Sequence, residues 1–284
     1  FMQFRKLTFI LSLIVIVFLS STAFALSWGD FSYTVSGSDN ITITGYTGSG
    51  NAVVIPETID TKPVVSIGDT AFSGKTALTS VTIPSSVTSI GTAAFNLCSS
   101  LTSIIVAAGN PKYCSLDGVL YNYAATTLIQ TPGGKFGEFV IPGTVTAIGV
   151  SAFESCAGLT GITIPSSVRS IGVRAFRYCT GLTSITIPGS VTSLGASAFS
   201  GCSGLTSIEV EANNPNYSSE AGALYNKDKT TVIQYPGGKS GMFVMPDSVI
   251  TIEASAFEDC NGLTTITIGD GVESIGDYAF YGCT

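Results

Sequence analysis

From Ile55 onward the apolar positions of the chain fall on one phrase of 23 residues. It is clearest from Ile164 to Thr186, IPSSVRSIGVRAFRYCTGLTSIT, after which Ile187-Pro188 begins it again. The skeleton is Ile-Pro-x-x-Val-x-x-Ile-Gly-x-x-Ala-Phe-x-x-Cys-x-x-Leu-x-x-Ile-x. Its Ala-Phe pair recurs at Ala71-Phe72, Ala94-Phe95, Ala152-Phe153, Ala175-Phe176, Ala198-Phe199, Ala256-Phe257 and Ala279-Phe280. A fixed period of this length predicts stacked coils, because no single copy can bury its own apolar column. Within a copy, LTSITIP (Leu182 to Pro188) predicts a short strand with Ile185 and Ile187 inward and Thr186 outward. Proline ends that strand because it has no N–H to give the ladder. Val191 and Leu194 return to the interior from the opposite side, and Ala198-Phe199 closes the coil. Gly172 and Gly195 are expected at turns where a positive φ suits glycine. The fold class expected is a mainly β repeat solenoid with 23-residue coils.

Three stretches depart from the phrase. In residues 26–54, FSYTV and ITITGY alternate apolar and polar residues around a Gly-Ser-Asp-Asn turn, which predicts an N-terminal capping hairpin over the first coil. Residues 107–140 and 211–244 interrupt the repeat and align without gaps at an offset of 104. Each holds two β-like runs, such as Gly118-Val119-Leu120-Tyr121 and Thr127-Leu128-Ile129-Gln130, and is expected to be an inserted hairpin projecting from the coil. At ~4.8 Å per coil the two hairpins would stand on the order of 20–25 Å apart. The last copy stops at Cys283-Thr284, before its Leu-x-x-Ile strand, so the solenoid of residues 55–284 is expected to be C-terminally truncated.

Residues 1–25 form a separate unit. Arg5-Lys6 precede the apolar run Leu7 to Leu19, and Ala23-Phe24-Ala25 follows, the three parts of a secretory signal peptide. The run is shorter than the ~20 apolar residues of a membrane span. The expected protein is exported, with no transmembrane span after signal removal.

The pattern Cys-x-x-Leu-x-x-Ile-x-Ile-Pro-x-x-Val-x-x-Ile-Gly-x-x-Ala-Phe resembles the BspA-like (Treponema pallidum-type) leucine-rich repeat. Cys179, Leu182, Ile185, Ile187, Pro188, Val191, Leu194, Ala198 and Phe199 each match a position of it, and the resemblance covers roughly residues 55–283. It implies a secreted or surface-attached protein of adhesin type that binds an extracellular or host protein or glycoprotein.

Composition narrows the chemistry. Only 11% of residues are charged, against 45% hydrophobic, and the net charge is −7. An acidic chain lacks the basic footprint that nucleic acid requires. There is no histidine, which excludes Ser-His-Asp and Cys-His machinery and His-ligated metals. No cofactor is implied. Six cysteines (Cys98, Cys156, Cys179, Cys202, Cys260, Cys283) share one repeat position; Cys114 lies in the first insert. They read as buried thiols acting as small apolar residues, because neighbours in a stack present parallel Cβ vectors that suit a disulfide poorly. Gly237-Gly238-Lys239-Ser240 ends like a phosphate-binding loop, but Ile233 stands where the leading glycine belongs, so it reads as a turn.

Two surfaces compete as the binding site. The outward strand positions Thr82, Ile105, Thr163, Thr186, Glu209 and Thr267 form a ladder that is either a solvated sheet or a flat binding face. The inserts concentrate aromatics, Tyr113, Tyr121, Tyr123 and Phe136, then Tyr217, Tyr225 and Tyr235, which either pack the hairpins or contact a partner. The hairpins are the preferred carriers of recognition, since two like patches on a rod could engage an extended partner together. A non-catalytic binding protein is thus expected. The alternatives are a passive spacer for a further C-terminal domain and a β-helix carbohydrate-active enzyme. The enzyme would need clustered carboxylates, and the strand ladder offers only Glu209.

Overall fold

The computed structural model describes residues 26–37 and 39–284; the signal peptide assigned to residues 1–25 lies outside the described residues. Every regular element among the described residues is a β-strand, and the chain is a solenoid of leucine-rich-repeat type. One coil shows how it is built. Ser184–Ile187 buries Ile185 and Ile187 and turns Thr186 outward. It pairs parallel with Ser207–Val210, Ile185 opposite Ile208 and Thr186 opposite Glu209, a register of one repeat. After Pro188 comes the two-residue strand Ser193–Leu194, paired parallel with Ser170–Ile171 one coil earlier. The chain then turns through Ala198-Phe199 and Cys202 into the next long strand. Each coil therefore has a strand face, a side of short strands and a turn face.

The glycine after each short strand is required for a different reason from the one expected. Neither Gly172 nor Gly195 takes a positive φ. Their constraint is crowding: a Cβ on Gly172 would stand 2.6 Å from the Gly149 carbonyl carbon, and one on Gly195 would stand 2.2 Å from the Val173 amide nitrogen. The left-handed positions fall on the turn face instead, one residue before Ala and two after Phe. Arg174 and Tyr178 (φ 56° and 57°) and Ser151 and Ser155 (54° and 63°) occupy them. Such a conformation costs a non-glycine residue ~1–2 kcal/mol. Here it aims the Arg174 and Tyr178 amides at the Ala196 and Ser200 carbonyls of the next coil, at 3.1 and 2.9 Å.

The cysteine column does more than fill space. All seven cysteines are free thiols. Cys98, Cys179, Cys202 and Cys283 donate from Sγ to the carbonyls of Phe72, Phe153, Phe176 and Phe257, one coil back, at 3.0, 3.1, 3.0 and 3.0 Å. An alanine or valine would pack there but could not donate.

The inserts do not project. The first is a three-stranded antiparallel meander, Tyr113–Leu116, Val119–Asn122 and Thr127–Gln130. Its third strand joins the short-strand side, Thr127 opposite Ala147 and Leu128 opposite Ile148. The second insert repeats this with Tyr217–Glu220, Ala223–Asn226 and Thr231–Gln234. The N-terminal region has the same plan. The hairpin Phe31–Val35 and Ile41–Tyr46 gains the strand Leu26–Trp28, and Ile41–Tyr46 pairs parallel with Lys62–Ile67. Ala52–Val54, within the stretch expected to be cap, already begins the strand face by pairing with Ser80–Ile83.

Each meander starts a fresh core. Leu120 packs into the cluster that runs from Phe31 to Ile104, while its neighbours Val119 and Tyr121 pack into the next cluster. Leu224 belongs to that middle cluster, and Ala223 and Tyr225 belong to the third. The aromatic column divides likewise. Tyr46 stacks on Phe72 and Phe72 on Phe95; Phe153, Phe176 and Phe199 form a second stack; Tyr235, Phe257 and Phe280 form a third. Thr131 stands in the first insert where Tyr235 stands in the second.

Candidate interaction surfaces

The insert tyrosines are mostly structural. Tyr121, Tyr225 and Tyr235 are fully buried, a correction to their expected availability for a partner. Both faces of the middle strand meet core, so its side chains have no solvent side. Tyr113 and Tyr217 are half-buried, and their hydroxyls accept from the backbone N–H of Ile90 (3.1 Å) and Leu194 (2.9 Å). Each insert is also anchored by a buried asparagine that the sequence reading passed over. Asn110 Nδ2 donates to the carbonyls of Pro84 and Val87, and Asn214 Nδ2 to those of Pro188 and Val191, all at 2.9–3.0 Å. Only Tyr123 is freely exposed, and Lys227 replaces it in the second insert. The Gly237–Ser240 segment is a turn: a Cβ on Gly238 would stand 2.7 Å from the Gly204 carbonyl carbon, and the Lys239 amine donates to the Ala221 carbonyl.

The strand face carries Thr163, Thr186 and Glu209 outward as expected, Thr186 beside Glu209. It also carries the insert aromatic Phe136 and, with it, apolar residues that the sequence alone did not single out. The final insert strands Phe136–Val140 and Gly241–Val244 pair with Gly158–Thr163 and Leu263–Thr267. Outward from them stand Phe136, Val140, Met242 and Val244. Phe136 is 82% exposed, and Val54, Val140, Met242 and Val244 are each more than 60% exposed. Apart from Tyr123, the inserts thus bring large side chains to the surface through their last strands and not through their tyrosines. Between Gly158–Thr163 and Ser184–Ile187 the ladder opens into a groove of about 420 Å³ edged by Glu138, Thr163, Thr186 and Glu211.

A second recess, of about 470 Å³, lies on the turn face. The coil beneath it has Tyr235-Pro236-Gly237-Gly238 in place of the Phe-x-x-Cys loop, and the coil before has Ser200-Gly201. Across these small residues Arg177 reaches Glu258, Nη2 to Oε1 3.1 Å. The same Nη2 donates to the Tyr178 hydroxyl at 2.8 Å, which donates to Glu258 at 3.2 Å, and Ser200 Oγ donates to the other carboxylate oxygen at 2.5 Å. Burial pushes the Glu258 carboxyl up, but hydrogen bonds from Ser200 and Ser255 and the Arg177 guanidinium outweigh it, and the group titrates below its ordinary value. Tyr278 and Tyr281 form the far wall. Among the described residues no group of three or more cysteines and acids is placed to hold a metal ion, and no helix is long and apolar enough to cross a membrane.

The sequence profile of the BspA type leucine rich repeat region matches the chain in six copies, over residues 47–116, 133–240 and 240–284. The chain belongs to the BspA-type leucine-rich repeat family. Solved structures agree with this assignment. A leucine rich cell surface protein from Faecalibacterium prausnitzii is 29% identical with a TM-score of 0.55, covering 93% of this chain and 75% of its own. A leucine-rich repeat protein from Eubacterium ventriosum shares the fold at 21% identity and a TM-score of 0.57, covering 90% and 93%. The pneumococcal vaccine antigen PcpA shares it at 24% and 0.52, covering 92% and 68%. No curated protein matches.

Proposed function

We propose that this BspA-type repeat protein is an exported, non-catalytic, adhesin-like protein that binds an extracellular protein or glycoprotein with its strand face. The observation that carries this reading is the set of exposed apolar side chains, Val54, Ile105, Phe136, Val140, Met242 and Val244, on the parallel-paired strands of one face. The inward residues of these strands already make the core, so the outward ones do nothing for folding that threonine would not do. Phe136 and Val140 share one strand and Met242 and Val244 another, and large apolar groups kept at the surface in this way mark an interaction site. Thr163, Thr186 and Glu209 fill the middle of the face and supply polar contacts. Two further facts support the location. Residues 1–25 carry the three parts of a signal peptide, and the F. prausnitzii relative is a cell surface protein.

The test is the fourfold variant Phe136→Ser, Val140→Thr, Met242→Ser, Val244→Thr. Circular dichroism and melting should match the parent. Surface plasmon resonance against matrix proteins, mucins and bacterial surfaces should show at least tenfold weaker binding to any partner that the parent binds. A folded variant that binds as tightly as the parent removes the strand face from the reading, and a parent that binds nothing in the panel removes the adhesin reading itself.

A further inference from the structure

We propose that the turn-face recess between Arg177 and Tyr281 binds the pyranose rings of a neutral oligosaccharide. The site lies on a different side of the coil from the strand face and does not depend on it. Its walls are three tyrosines, Tyr178, Tyr278 and Tyr281, with Arg174, Arg177, Glu258 and Asp277 between them. A sugar ring has an apolar face of C–H groups and a rim of hydroxyls. Tyrosine offers the matching pair, an apolar ring with a polar tip. Tyr278 and Tyr281 line the recess with centroids 5.9 Å apart and planes at 84°, so they present a corner of two platforms.

The polar groups sort into a frame and a set of free hands. Arg177 lies over the Tyr178 ring at 4.4 Å and is held by Glu258, while Tyr178 lies across Gly201, where a Cβ would stand 2.2 Å from its ring. That wall is fixed before any ligand arrives, which lowers the cost of binding. Among the described residues the side chains of Arg174 and Asp277 have no hydrogen bond or ion pair. One donates and the other accepts, as a hydroxyl rim requires. The volume, about 470 Å³, is within the usual range for small-ligand sites.

Charge argues against strongly charged occupants. Arg174 and Arg177 are offset by Glu258 and Asp277, with Glu154 a further 4.0 Å from Arg177, so neither a polyanion nor a polycation is favoured. The recess over the first insert supplies a contrast. It is lined by Leu97, Ser155, Tyr178 and Thr180, without a charged side chain, so its polar groups are uncharged hydroxyls.

The experiment is a glycan array probed with the full chain, followed by saturation-transfer NMR and calorimetry with the strongest neutral oligosaccharide. The double variant Tyr278→Ala, Tyr281→Ala should fold as the parent does, since neither ring packs in the apolar core, and should bind at least tenfold more weakly. Arg174→Ala should weaken binding by a smaller factor, and the fourfold strand-face variant should bind the glycan unchanged. The proposal is overturned if no neutral glycan binds above background, if binding is confined to carboxylated or sulfated glycans, or if the double variant binds as the parent does. Protein-partner binding by the strand face is read separately, so either proposal can fail alone.

Discussion

Phe176→Ala tests the stacked column most directly. Phe176 is fully buried between Phe153, at 5.1 Å and 17°, and Phe199, at 5.2 Å and 1°. Truncating a buried phenylalanine costs ~3–5 kcal/mol, because the transfer energy is lost and the cavity closes only in part. Each stacked pair adds ~0.5–1.5 kcal/mol beyond area, which places Phe176→Ala near the top of that range, at ~4–5 kcal/mol. Phe95 is as deeply buried but has one ring neighbour, Phe72, because Thr131 holds the next aromatic position. Its truncation should cost ~3–4 kcal/mol. Phe280 is half-buried with Phe257 as its ring neighbour, and half the burial implies ~1–2 kcal/mol. Phe199 stacks only on Phe176, so it is a poorer probe than its mid-array position suggests. Urea titration followed by circular dichroism gives the order, with hydrogen exchange reporting whether one module opens before the others. Stacking contributes nothing beyond burial if Phe95→Ala costs as much as Phe176→Ala, and the column is not a packed core if Phe176→Ala costs less than about 2 kcal/mol.

Two other properties follow from buried polar groups. The hydroxyls of Thr131 and Tyr235 are buried without a hydrogen-bond partner, so Thr131→Val and Tyr235→Phe should each raise stability by about 1 kcal/mol; a fall in the urea midpoint would show that these hydroxyls are satisfied in solution. Burial pushes the Cys156 and Cys202 thiols up to about 12 and Cys179 well above its ordinary value. A raised thiol contributes stability that is complete below its ordinary value of 9.0 and is lost as pH rises toward 12. Melting temperature should therefore fall across that window, and less steeply in Cys156→Ala. At neutral pH the half-buried Cys114 and Cys283 should react with maleimide first, and the fully buried thiols only after unfolding. Native labelling of Cys179 as fast as Cys114, followed by peptide mass spectrometry, would contradict the burial.

The period, the inward positions and the solenoid were all legible in the chain, because each coil repeats the same local problem. Where alternation places Ile185 and Ile187 on one side and Thr186 on the other, the pleat leaves no choice of face. What alternation does not state is which neighbour a strand will meet. Val119-Leu120-Tyr121 and Ala223-Leu224-Tyr225 are unbroken apolar runs, the mark of a strand buried on both faces. That signal was present, but its meaning depends on the coils before and after the insert closing over it. Only the tertiary structure decided that the inserts divide the core and surface through Phe136, Val140, Met242 and Val244. The turn-face recess was out of reach for a related reason. Arg177 and Glu258 are 81 residues apart, and their meeting depends on the short Pro236-Gly237-Gly238 turn lying low between them. Periodicity describes what is the same in every coil, whereas this site is made where neighbouring coils differ.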